Sequence, residues 1–158
     1  MATYQIRLLT PKDVSRATAV IVSSFKSSPS FQIQRPNSSK FLTDTYDYYA
    51  VCLINELLNP TSRVYGVESM YNGNEVEVVK SSWAEQDLMV RIGETVITGV
   101  LSIGDLETRP LPRESICTLK HLLERIENRR RDENQDNIKF YKEQTDTEKQ
   151  QYDSWVVD

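Results

Sequence analysis

The chain has 158 residues, 39% of them hydrophobic and 27% charged, with a formal net charge of −4 and a pI near 5.1. That length suits one domain whose core needs neither disulfides nor metal. The acidic balance argues against a general nucleic-acid binder, which carries a strongly basic surface.

The two cysteines, Cys52 and Cys117, form neither a disulfide framework nor a zinc-ligand pattern. No apolar run opens the chain, so no N-terminal signal is expected. No window reaches the apolar length of a membrane span, so no membrane partner is expected either. The expected setting is reducing and cytoplasmic.

Tyr4 to Leu8 alternates in polarity and predicts a first strand. Thr10-Pro11-Lys12-Asp13 is a helix start, with Thr10 to cap, Pro11 at the first position and Asp13 as the capping-box acid. Val14, Ala17, Ile21 and Phe25 then recur at helical spacing, with Thr18 beside them. Residues 29–42 hold two phenylalanines without a period and read as a loop over a pocket. A second helix starts at Thr43 or Asp44, places Tyr46, Tyr49, Ala50, Leu53 and Leu57 on one face, and stops at Asn59-Pro60.

From 63 to 107 the period changes to two, which predicts an antiparallel meander. Strands are expected over 63–70 and 75–81, joined at Asn72-Gly73-Asn74. Two more, 88–92 and 95–103, are expected to pair across Gly93-Glu94. A third helix over 114–131 turns Ile116, Leu119, Leu122, Leu123 and Ile126 inward. Short helices follow over 137–143 and from Thr145, where Thr145 and Glu148 form a capping box, and Trp155 opens a further strand. The fold class is therefore α+β, a mostly antiparallel sheet flanked by helices, in a single domain over 1–158.

This order, with the stretches IRLLTPKDVSRATAVIVSSF, KFLTDTYDYYAVCLINELLNPTSRVYGVE, VITGVLSIGDL and EKQQYDSWVVD, resembles the N-terminal half of fungal members of the GNAT acetyltransferase superfamily. The resemblance covers about two thirds of the chain and implies a central, splayed antiparallel sheet. In that family a Gln/Arg-x-x-Gly-x-Gly/Ala loop at a helix N-terminus grips the pyrophosphate of acetyl-CoA. The sequence ends at Asp158, ahead of where that loop would fall, and Gly66, Gly73, Gly93, Gly99 and Gly104 lie in strands or turns. No cofactor is therefore expected, and the 75–91 stretch reads as an inserted hairpin.

Single residues divide into bland and chemical candidates. His121, the only histidine, faces away from the apolar stripe of its helix and is expected in solvent. Arg125 and Arg129 to Arg131 suit a solvated helix end, and no metal-ligand cluster is present. The aromatic set is the stronger signal, because tyrosine and tryptophan combine apolar area with a polar tip. Phe31, Tyr46, Tyr49, Trp83 and Trp155 are the expected ligand-binding residues. Asp105, Glu68 and Tyr65, near the predicted sheet cleft, are the expected catalytic ones, through a carboxyl whose pKa burial raises.

The reading that follows is a GNAT-like protein that binds a small apolar or aromatic molecule without acetyl-CoA. An isomerase or cyclase reaction of fungal secondary metabolism would use such walls. The alternatives are an N-acetyltransferase that completes its site in an oligomer, and a non-catalytic interaction or dimerisation protein that covers an exposed sheet edge with a second copy.

Overall fold

The computed structural model describes residues 4–26, 28–73, 90–104, 106–126 and 129–156. Strand β1, Gln5–Leu8, leads to Thr10, an extended N-cap residue after which Pro11 opens a helical turn. The Thr10 amide and hydroxyl both donate to Asp13 Oδ2 at 2.7 Å, so the expected box forms. Pro11–Asp13 is one 3-10 turn, and helix α1 runs on as Val14–Phe25.

Helix α1 is buried on more than the expected stripe. Val14, Ala17, Ala19 and Val22 are all at most 1% exposed, because the helix packs on α3 from one side and on β3 from the other. Phe25, placed inward by spacing, is 48% exposed at the helix end.

Residues 29–42 are not all loop. Ser28 is extended and Pro29 takes the first helical position, so Pro29–Gln34 forms a short helix, α2. Helix α3, Leu42–Leu58, follows the expected face, with Tyr46, Ala50, Leu53 and Ile54 buried.

Strand β2 is Arg63–Met70 and strand β3 is Thr95–Ile103, the expected bounds in both cases. The described sheet is antiparallel in the order β1-β2-β3, so the chain is an α+β protein. Register places Tyr65 between Leu8 and Leu101, with a bulge at Val67/Glu68. The pairing of β3 differs from expectation. Among the described residues it joins β2, and Tyr71 extends that ladder by bonding Glu94 and Gly93, while residues 88 and 89 of the expected partner strand lie outside the described residues. Residues 90–92 are not in a strand. The expected strand over 75–81 lies outside the described residues.

Helix α4, Arg113–Arg125, ends six residues early because Ile126 turns extended and buries itself in the core. Helix α5, Gln135–Val156, is one element where two were expected. Asn134 caps it through the Asn137 amide at 3.1 Å. The Thr147 hydroxyl donates to Glu143 O at 2.8 Å, back-bonding within the helix that was expected to begin afresh at Thr145. Trp155 therefore continues a helix and does not open a strand.

The main core joins Leu9, Val14 and Ala17 to Leu53, Val64, Ile97 and Leu119, so α1, α3 and α4 share the inner face of the sheet. A smaller cluster of Ala19, Val22 and Tyr46, with Leu42 and Tyr49, lies at the far end of α1. No helix among the described residues is long and apolar enough to cross a membrane.

Candidate functional site

The smaller cluster is the floor of a cleft. α1 ends, α2 passes over it and α3 begins within a few residues of one another, and a cleft of about 460 Å³ opens between them. That volume falls in the range of small-molecule sites. Val22, Phe31 and Leu42 form its apolar walls, Lys26 and Arg35 bring cations to it, and Ser38 and Ser39 bring hydroxyls.

The aromatic wall is continuous. Phe31 stacks on Tyr49 with ring centroids 6.3 Å apart, and Tyr49 stacks on Phe25 at 5.7 Å. Behind them Tyr46 is fully buried and donates its hydroxyl to Ser15 O at 2.6 Å. Burial pushes the Tyr49 phenol up, and the nearby Arg35 charge only partly opposes it. Burial also raises Tyr48, with Cys52 adding to the shift.

Helix α2 has six residues and cannot hold itself in place. The start of α5 clamps it. Asn134 N donates to Gln34 O at 2.8 Å and Asn137 Nδ2 to Ile33 O at 2.7 Å, which satisfies two terminal carbonyls of α2. Arg35, next in the chain, is 4% exposed and forms ion pairs with Asp132 and Glu133. Asp132 is fully buried and also accepts from Thr45 Oγ1 at 2.7 Å, while its Oδ1 has no hydrogen-bond partner among the described residues. Two guanidinium groups lie against the Tyr48 ring, Arg35 at 4.0 Å and Arg130 at 5.0 Å from its centre. Arg131 donates three bonds to Asp44. Those bonds hold the Asp44 carboxyl below the usual range, against its burial.

The expected site residues divide sharply. Of Phe31, Tyr46 and Tyr49, Phe31 is on the cleft lining; Tyr49 stacks on it, and Tyr46 is fully buried in the smaller core cluster. Glu68 and Tyr65 are on β2, away from the cleft. Arg7 Nε donates to Glu68 at 2.9 Å, and the same guanidinium grips both oxygens of Asp13 at 2.8 Å. Burial works against the Asp13 charge, but hydrogen bonds from Arg7 and Thr10 outweigh it and keep the carboxyl below the usual range. Arg7, Asp13 and Glu68 thus form a clip that fastens β1 and β2 to the start of α1. Tyr65 alternates away from the buried Val64 and Gly66, toward the outer face of the sheet. Asp105 and Trp83 lie outside the described residues, as does the side chain of Trp155.

Lys26, Arg35 and Asp132 carried no sequence signal that marked them. Lys26 and Arg35 flank α2, in a segment without a period. Asp132 follows an arginine run that looks solvated, yet Arg130 and Arg131 fold back onto α3. His121 is on an exposed helix face, its side chain 70% exposed, as expected. No group of His, Cys, Asp and Glu able to hold a metal occurs among the described residues. The chain matches no family model, no curated protein and no solved structure.

Proposed function

We propose that this is a small-molecule-binding domain of GNAT-like architecture, with its ligand in the cleft between α1, α2 and α3. The observation that carries the reading is the cleft itself: ligand-sized, apolar-walled and backed by the Phe25–Tyr49–Phe31 stack. The order β1, α1, α3, β2, β3 with antiparallel neighbours supports the architectural half. Placing the site between the first two long helices, and not over the sheet, departs from the sequence expectation. An isomerase or cyclase step would need an acid or base against the ligand. Glu68, one of the expected carboxyls, is committed to the Arg7 clip, so binding is the activity proposed for this cleft.

The test is a fragment screen by two-dimensional amide NMR. Hits should move the resonances of Val22, Phe31 and Leu42 together, and Phe31→Ala should weaken them. Hits clustering instead on β2 and β3 would overturn the placement. Acetyl-CoA belongs in the same screen. If it bound at micromolar concentration, the acetyltransferase alternative would replace this reading.

One observation favours a second, interaction role. Among the described residues β3 pairs on one side alone, and the outer sheet face carries Ile6 at 72% and Leu101 at 55% exposure. A solution mass of two chains, concentration-dependent and lost in Leu101→Lys, would establish that role.

A further inference from the structure

We infer that the ligand of this cleft is an amphiphilic monocarboxylate, an aryl or medium-chain acid whose apolar body lies on Phe31, Val22 and Leu42 and whose carboxylate meets Lys26. This rests on the cleft being the ligand site and adds the chemical class. The charges lining the cleft decide it. Arg35 is one of its two cations, but it belongs to a closed set. Arg35 and Arg130 face Asp132 and Glu133, two positive charges against two negative, so the set is neutral. Lys26 is the other cation on the cleft lining, and the lining holds no carboxylate. Among the described residues the cleft lining therefore presents one positive charge without a carboxylate partner, at an exposed position at α1's C-terminal end.

The geometry of the cations favours one negative charge over a phosphate. Arg35 cannot offer a bidentate fork, because its Nη atoms are held by the two carboxylates and its guanidinium carbon lies 4.0 Å from the centre of the Tyr48 ring. Lys26 acts as a point charge, with the Ser38 and Ser39 hydroxyls available as hydrogen-bond donors. Phe31, Pro36 and Leu42 give the lining apolar surface that a fully polar anion would leave uncovered.

The test compares octanoate, octanol, octylamine and octyl phosphate on the full chain, by calorimetry and amide NMR. Variants are Lys26→Met, at an exposed position, and Ser39→Trp, which fills the cleft mouth from an exposed position. Octanoate should bind about fivefold more tightly than octanol, the upper range for a partly exposed charge pair. Lys26→Met and high salt should each erase that margin, and Ser39→Trp should weaken both ligands. Equal binding of octanol and octanoate, both blocked by Ser39→Trp, would overturn the acid assignment and leave the cleft standing. A preference for octylamine or octyl phosphate would overturn it in the same way. If no probe is sensitive to Ser39→Trp, both the acid and the cleft fall.

Discussion

The guanidinium of Arg35 lies 4.0 Å from the centre of the Tyr48 ring, and its two terminal nitrogens reach Asp132 and Glu133 on the other side. One side chain thus joins three parts of the chain distant in sequence: the end of α2, the body of α3 and the lead-in to α5. The cleft wall exists because of that joint, since α2 is too short to be stable unaided.

Breaking the joint should be costly. Arg35→Ala leaves Asp132 fully buried without its cation, and the expected loss is about 3–5 kcal/mol. Asp132→Ala should also destabilise but lose less, since the 4%-exposed Arg35 keeps its ion pair with Glu133. The double variant should lose clearly less than the sum of the two, because each partner's penalty comes from the other's presence. Urea midpoints for the four proteins check this. Additive losses would show that the two residues act separately.

The acid limb of stability should carry the Asp44–Arg131 contact. Hydrogen bonds from Arg131 hold the Asp44 carboxyl below its unfolded value, which lies near pH 4. A depressed folded pKa gives stability that is complete above the unfolded pKa and is lost as pH falls through the folded one. Stability should therefore be flat from neutrality to about pH 5 and decline below about pH 4. Asp44→Asn should lower stability at neutral pH by about 1 kcal/mol, Arg131 being half exposed, and flatten the decline. Asp13, held down in the same sense, adds to that decline, so Asp44→Asn removes part of it and not all. Denaturant curves taken across the acid range measure both effects. An unchanged slope in Asp44→Asn would count against the contact.

Gly66 is required by packing and not by backbone conformation. A Cβ there would meet Leu9 Cδ2 at 2.5 Å, and Leu9 is itself 8% exposed in the main core. Gly66→Ala should cost about 1–3 kcal/mol as an overpacked core. Adding Leu9→Val, which withdraws the clashing methyl group, should recover part of the loss. Thermal midpoints decide it: a double variant weaker than Gly66→Ala alone would place the strain elsewhere.

What the sequence revealed follows from the range of each interaction. α1, α3, β2 and β3 were legible because their apolar periods run over many residues and meet the core directly, whereas β1 showed itself by alternation over four residues. α2 was not, because six residues hold too little period and the contacts that stabilise it come from Asn134, Asn137 and Asp132 about a hundred positions away. The same range explains the site. Phe31 and Tyr49 stood out in the aromatic set and do stack, and Tyr46 packs in the same small core cluster as Tyr49. Glu68 looked like a free acid at a strand end because nothing local shows that Arg7, on the neighbouring strand, would claim it. Arg130 and Arg131 looked solvated for the same reason, although their partners are on α3. Two capping boxes of similar spelling ended differently. The one at Thr10 follows an extended residue and forms. The one at Thr145 sits inside a run of good helix formers, and the helix passes through it.

The outer sheet face offers the last prediction. Ile6 and Leu101 flank Tyr65 on the side away from α1 and α3, and Ile103, 42% exposed, extends the patch along β3. An apolar side chain already in water contributes little to folding, so Leu101→Lys should change stability by no more than about 0.5 kcal/mol. Lysine on this outer face opposes packing between copies, since it places a charge where a second sheet would stack. Sedimentation at rising concentration should then show weaker self-association in Leu101→Lys than in the parent chain. A stability loss of several kcal/mol instead would mean that the native fold covers Leu101, and the face would no longer be a surface for a second copy.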